Sequence, residues 1–292
     1  MCELAGVSRA SFYRHWEEVA PSEAEMALRE AVQQAALAHR FYGYRRVLQE
    51  VRKEGYQVGG KRVRRMLRDD NLLAIRRRKF VATTDSQHAY RVYPNLAAHL
   101  ELTDVNQLWV ADLTYVRLQA EFVFLAVVLD AYSRRAVGWA LGRRLDAGLA
   151  LAALNMAIDN RHPQPGLLHH SDRGTQYASA AYVGRLESIQ AVPSMSRAGR
   201  PWENGKCESF IKTLKQEEIN ARSYASLEEL GRNVEEFMEQ IYNRQRLHSA
   251  LGYQSPEQFE AAQARGASQS GWRPAALCLP RYEECGPGEA AQ

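Results

Sequence analysis

Three acids in this chain stand where carboxylates could do chemistry together: Asp112, Asp172 and Glu208. Asp112 falls in the middle of "WVADLTY", a run that reads as a buried strand. A buried, unpaired carboxylate is costly or takes up a proton, so Asp112 calls for a partner, and a cation is a common one. Asp172 ends "LLHHSD", where a short apolar run turns at once through Arg173-Gly174. The carboxyl ends of strands are where α/β sheets place their chemistry. Taken alone, Asp172 reads equally as a helix cap, a salt-bridge partner or a cation ligand. Glu208 lies on the first turn of a helix that begins near Gly205, and alone it reads as a solvated helix residue. Three oxygen donors with no call for cysteine or histidine suit a hard cation, Mg²⁺ or Mn²⁺. Two such ions can activate the attacking oxygen and stabilise the leaving one in an in-line phosphoryl transfer. Acids make up 34 of 292 residues, so spacing alone decides little. The case rests on all three arising at the right elements of one topology.

Those elements are legible. Residues 107–118, 121–133 and 134–143 are three β-rich runs with at most a few residues between them, which predicts an antiparallel meander. A helix follows over 146–159 with Asp146 as its cap, then a strand over 167–171 and a helix from about 178 to 188. "QAVPSM" reads as a short strand and "SRAGRPWENG" as a polar loop. Helices then run from Gly205 to about Asn220 and from Ser226 to about Asn243. This order predicts an α/β fold on the ribonuclease-H-like plan: a mixed five-stranded sheet flanked by helices. In that plan the first and fourth strands are neighbours and the late helix crosses their ends, so the three acids converge.

Composition sets the partner class. The 292 residues, 46 % hydrophobic, suffice for one large domain or a medium one with a small companion. No run of eighteen apolar residues predicts a membrane span, and the first residues carry charge too early for a secretory signal. Cys2, Cys207, Cys278 and Cys285 lack zinc-site spacing and read as reduced thiols. Net charge is +4, but residues 40–80 hold fourteen Lys/Arg against four Asp/Glu, which leaves the remainder at −6. A basic module on a mildly acidic body predicts a polyanion as partner. In that module "GYRRVLQEVRKEG" and "GKRVRRMLRDDN" read as two short helices joined by "YQVG", a helix-turn-helix. Lys61, Arg62, Arg64, Arg65 and Arg68 spread over the second helix, and Arg76, Arg77 and Arg78 could trail along a phosphate backbone. The predicted organisation is a partial helix-turn-helix or helical stub over 1–20, a helical DNA-binding module over 21–80, a linker over 81–103, the catalytic core over 104–260 and a flexible tail over 261–292.

Five blocks in register carry a resemblance: "WVADLTYV", "FVFLAVVLDAYSRRAVGWAL", "LLHHSDRGTQY", "SMSRAGRPWENGKCESFIKTLKQE" and "YNRQRLHSALGYQSPEQF". Across roughly 40–260 the chain resembles the downstream-frame transposases of the insertion-sequence-three family, relatives of the retroviral integrases with an Asp-Asp-Glu core. The 35 residues between Asp172 and Glu208 match the separation those proteins share. The resemblance implies a DNA transposase in which Asp112, Asp172 and Glu208 hold two Mg²⁺ or Mn²⁺ ions. Water would free a 3′-hydroxyl at the element's end, and that hydroxyl would attack another phosphodiester, with no covalent enzyme intermediate and no ATP. The absence of a phosphate-cradling Gly-rich loop fits.

By the same resemblance Lys212 and Lys215, one and two turns after Glu208, hold phosphates of the transposon end. The partners implied are terminal inverted repeats, target DNA, further copies of the chain on DNA and the upstream-frame protein, in a bacterial cytoplasm at the nucleoid. His169 and His170 are expected to pack beside the site rather than to act as bases. The family's Tyr-Asp-Asn-Ala is here Trp202-Glu203-Asn204-Gly205, and the tail beyond about 262 has no family match. The N-terminus reads as truncated, as if an upstream frame were normally fused to it. Two other readings remain open at this point: a non-catalytic regulator that occupies transposon ends, and a ribonuclease-H-like nuclease acting on RNA–DNA hybrids.

Overall fold

A computed structural model describes residues 22–74, 91–98, 100–197 and 200–270. The stub over 1–20, Arg76 to Arg78, Cys2, Cys278 and Cys285 lie outside the described residues. The chain divides into two compact units between residues 79 and 80.

The first unit is three helices: α1 (Glu23–Ala38), α2 (Tyr44–Lys53) and α3 (Gly60–Asp69). Ser22 caps α1 by accepting a hydrogen bond from Glu25 N–H. Leu28, Val32, Val47, Leu48, Val51, Val63, Met66 and Leu67 are buried, each at helical spacing on its own element. Gly55, at φ +96°, ends α2 in the left-handed region, and Tyr56 N–H returns to Val51 O.

The second unit is built on β1 (Leu108–Arg117), β2 (Phe122–Asp130), β3 (Ala136–Gly142), β4 (Leu168–Ser171) and β5 (Val192–Met195). The sheet order is β3-β2-β1-β4-β5. β1, β2 and β3 pair antiparallel, whereas β4 runs parallel to both β1 and β5. This is the mixed five-stranded, ribonuclease-H-like sheet. The return to parallel pairing requires a crossover, and α4 (Ala147–Arg161), capped by Asp146, supplies it. α5 (Thr175–Ala178) and α6 (Ala180–Ser188) connect β4 to β5.

Period-two alternation divides β1 between two cores. Leu108, Val110 and Val116 face one cluster; Trp109 and Ala111 face the other, against α4. Fully burying a residue such as Leu125 contributes about 1.5–3 kcal/mol. Gly138 lets α4 lie close on β3, because a Cβ there would run into Ala153 O and Ala157. The first cluster is closed by α7 (Gly205–Glu217), α8 (Leu227–Glu236) and a π-helical segment, Phe237–Gln245. Asn243 in that segment accepts from Ala136 N–H and donates to Ala136 O, 2.9 and 3.0 Å, which completes hydrogen bonds that β3 would lack.

Two expected boundaries move. Residues 91–98 and 100–103 are not a free linker: Leu96, Ala97, Leu100 and Leu102 pack on the first cluster, and Leu96 N–H donates to Ser194 Oγ at 2.9 Å. A few scattered apolar residues suffice for docking, although they have no period. The tail expected from 261 is helical through Ser270 as part of α9 (Pro256–Ser270), in keeping with its run of Ala, Gln and Arg.

Candidate active site

The β1–β4 register decides where the acids stand. Leu108 pairs with Leu168, Trp109 with His169 and Val110 with His170. The same offset carried two residues on sets Asp112 level with Asp172, just past the end of β4. Neighbouring strands lie about 4.8 Å apart. Gly174 explains the turn that follows: its N–H donates to Asp172 Oδ1 at 2.9 Å, and a Cβ at 174 would stand 3.0 Å from that oxygen. Asp172 is thus drawn into a side-chain turn, and the short helix after it starts without a side-chain cap.

Glu208 arrives from the other direction. It lies exposed on the first turn of α7. The start of α7 is tacked onto β1 next to Asp112: Asn204 Nδ2 donates to Ala111 O at 2.8 Å, and Cys207 Sγ approaches Val110 O at 3.9 Å. Asn204, part of the expected loop, therefore fixes the helix start to the strand that carries the first acid.

The electrostatics follow. Asp112 is partly buried as a residue, and its carboxyl lies deep. Burial first, then the Asp172 charge, and to a lesser degree Glu208, push its pKa up to about 7, against pulls from Leu113 N–H and Lys215. The acids share a neighbourhood rather than a coordination cage: among the described residues no group of three or more His, Cys, Asp or Glu is gathered closely enough to hold a metal ion. Asp112 Oδ1 takes Leu113 N–H at 2.8 Å and Asp172 Oδ1 takes Gly174 N–H. The donor chemistry still suits a hard cation, being all carboxylate oxygen with one member held at high electrostatic cost.

Of the expected DNA-binding residues, Lys61, Arg62, Arg64, Arg65 and Arg68 are all exposed on α3. Arg62 pairs with Glu25 at 3.3 Å, and Arg64 lies over the Tyr44 ring at 5.8 Å. In the second unit Lys212 is exposed on α7. Lys215 is half-buried with its ammonium 4.3 Å from the Tyr115 ring centroid; burial lowers its pKa and Asp112 raises it.

The two histidines are structural. His170 is fully buried, with Nδ1 2.9 Å from Ser194 Oγ and Nε2 3.0 Å from Ser196 Oγ. His169 Nε2 lies 3.0 Å from Tyr182 OH. Burial lowers their pKa values to about 4 and about 3, so both are neutral packing groups.

Three residues near the site have no sequence signal of their own. Glu203 accepts from Asn95 Nδ2 and Arg197 N–H and Nε, 2.7 to 2.8 Å, and these contacts, Arg197 foremost, hold its carboxyl down to about 2. Glu203 therefore clamps the loop before α7. Tyr177 is buried, its hydroxyl has no hydrogen-bond partner among the described residues, and its pKa is raised by burial and further by Tyr182, Asp112 and Asp172. Tyr115 emerges only because α7 brings Lys215 over it.

An integrase core domain family matches residues 103–201 and a second integrase core description matches 190–256, while an HTH-like domain matches 23–80. The chain is 38 % identical to an insertion element IS600 uncharacterized 31 kDa protein of Shigella sonnei, over 89 % of this chain and 97 % of that one. It is 35 % identical to transposase InsF for insertion sequence IS3A of Escherichia coli strain K12, over 89 % and 92 %. The chain belongs to the insertion-sequence transposases with an integrase core. A transposase for insertion sequence element IS904 of Lactococcus lactis is 35 % identical over 75 % of this chain and 87 % of that one. Among solved structures, the HTLV-2 integrase catalytic core domain in complex with magnesium shares 16 % identity at a TM-score of 0.43, covering 54 % of this chain and 97 % of that one. A simian T-cell lymphotropic virus intasome chain shares 15 % at 0.47, covering 90 % and 80 %. As a transposase of this family the chain acts on DNA. No helix among the described residues is long and apolar enough to cross a membrane.

Proposed function

We propose that Asp112, Asp172 and Glu208 are the catalytic acids of this transposase and that they bind divalent metal, Mg²⁺ or Mn²⁺, two ions in the working complex. The observation that carries this reading is the β1–β4 register, which brings Asp112 level with Asp172, together with the Asn204 hydrogen bond that ties the Glu208 helix to β1. When bound, the metal supplies Lewis-acid activation of an attacking oxygen and charge neutralisation at the leaving oxygen of a phosphodiester.

The chain's own residues do the rest. Asp112, its carboxyl raised to about 7 by burial and by two other acids, holds its proton more tightly than an ordinary carboxyl, so cation binding and ionisation are coupled at this residue. Gly174 keeps the Asp172 carboxylate folded against the strand end. The Glu203 clamp and Asn204 hold the start of α7, which fixes the direction from which Glu208 comes. Lys212 and Lys215 lie on the same helix, where they meet the phosphates of a transposon end. α3 and the arginines after it grip the terminal repeat, mostly through phosphates. The family relatives do not favour the regulator reading. Assembly of several copies on DNA and pairing with an upstream-frame protein belong to this same proposal.

The test is Mg²⁺-dependent nicking and strand transfer on DNA that bears the end of the encoding insertion sequence. Asp112→Asn, Asp172→Asn and Glu208→Gln are each expected to abolish both steps and to leave binding of that end nearly unchanged. Strand transfer surviving in all three variants would overturn the assignment.

A further inference from the structure

The far ends of β1 and β2 leave two aromatic rings uncovered. Tyr115 is 39 % exposed and Phe122 50 %. Their centroids are 6.0 Å apart at an interplanar angle of 73°, so each ring covers the other only by an edge. A cation stands on each: Lys215 Nζ is 4.3 Å from the Tyr115 centroid, and Arg117 Cζ is 5.3 Å from that of Phe122. The acid next to Phe122 in the chain, Glu121, is already paired with Arg143 at 3.0 Å. Asp112 and Tyr115 leave β1 on opposite faces, but Lys215, which stands on the Tyr115 ring, also feels the Asp112 charge, so this lysine links the patch to the acid site.

We propose that Tyr115, Phe122, Lys215 and Arg117 form a stacking platform for an unpaired nucleotide of the DNA strand that enters the acid site. The proposal rests on the transposase reading above and names a feature of its substrate: a strand end that is locally unpaired. The chemistry selects this occupant. A base offers a π-face to an exposed ring, and the phosphates beside it offer charge to two long, flexible cations. A duplex hides its base faces, so a paired end would meet the cations but not the rings. A second copy of the chain would have to bring acids to two cations and an apolar face to two rings.

The experiment uses the full chain carrying Asp112→Asn in the presence of a chelator, so that binding is read without cleavage. Two probes carry the same insertion-sequence end, one fully paired, the other with three unpaired terminal nucleotides containing 2-aminopurine. The unpaired end is expected to bind more tightly than the paired one and to show quenched 2-aminopurine fluorescence. Tyr115→Ala/Phe122→Ala should weaken the unpaired end by about tenfold, remove the quenching and leave the paired end unchanged. Tyr115→Phe should keep the preference. Phe122→Ala alone should move in the same direction, and it carries the test should the double variant fail to fold. Equal losses on both probes, no loss on either, or Tyr115→Phe behaving like the alanine variant would overturn the platform. So would a change in oligomeric state by light scattering with the unpaired-end preference intact, which would assign the patch to self-association. None of these outcomes bears on the three acids, which the nicking assay judges separately.

Discussion

Two aspartates on neighbouring strands, each with its carboxyl group deep in the fold, meet opposite fates. Asp130, at the end of β2, is completely covered. Its carboxylate accepts from Asn106 N–H at 2.6 Å, Tyr132 N–H and Ser133 N–H at 2.9 Å and Ser133 Oγ at 3.2 Å. Burial raises its pKa, yet Ser133, Asn106 and Arg161 all pull it back. Asp112, on β1, accepts Leu113 N–H and is raised further by two other acids. Burial alone therefore does not separate the proposed catalytic acid from a structural one. The distinction lies in whether the fold supplies the donors or leaves the charge to be met from outside.

That contrast can be broken in order of effect. The largest separation is in chemistry: Asp112→Asn should cut strand transfer on the order of a thousandfold, the loss of ~4 kcal/mol of transition-state stabilisation, whereas Asp130→Asn should transfer strands in proportion to its folded fraction. Product yield per folded molecule measures this, and equal losses would erase the distinction. Next is folding itself. Asp130→Ala leaves three backbone N–H groups without their acceptor and should cost about 3–5 kcal/mol in chemical denaturation, while Asp112→Asn should not destabilise the metal-free protein at all.

The third test is thermal. Mg²⁺ at ten times its Kd should stabilise the parent chain and Asp130→Asn by about 1.4 kcal/mol and leave Asp112→Asn unmoved. A melting shift that persists in Asp112→Asn would place the ion elsewhere.

The last test is of pH, in chelator. The Asp112 carboxyl is raised from 3.8 to about 7, so the folded state holds its proton more tightly than the unfolded state. Its contribution is fully present below about 4 and is lost as pH rises towards 7. Melting temperature against pH should lose this limb in Asp112→Asn. His169 and His170, lowered from 6.5, act with the opposite sign, and their contribution is lost as pH falls from 6.5 towards about 3 and about 4 respectively. A parent chain whose stability is flat between pH 4 and 7, and unchanged in slope by Asp112→Asn, would contradict the raised pKa.

Much of this was legible before any coordinates. The alternation in "WVADLTYV" and "FVFLAVVLD" places the strands to within a residue or two, because burying one set of side chains per face leaves little freedom of register. The helix over 146–159 extends only to Arg161, with Asp146 capping it as expected. Other features were silent. Residues 91–102 dock through isolated apolar contacts that have no period. The π-helical segment Phe237–Gln245 looks like ordinary helix in sequence, and it carries Asn243 to its hydrogen bonds with β3. Asp130 sits in "VVLDAYS" as a turn acid like many others, and only its four donors reveal its structural role.

The sequence by itself determined the strand and helix order and the basic character of α3, because hydrophobic period, caps and charge are local properties of the chain. Tertiary structure alone decided that Asp112 lies level with Asp172, that Asn204 pins the Glu208 helix to β1 and that Lys215 covers Tyr115. Those facts depend on parallel strand register and on helix docking across long separations, and no local preference encodes either.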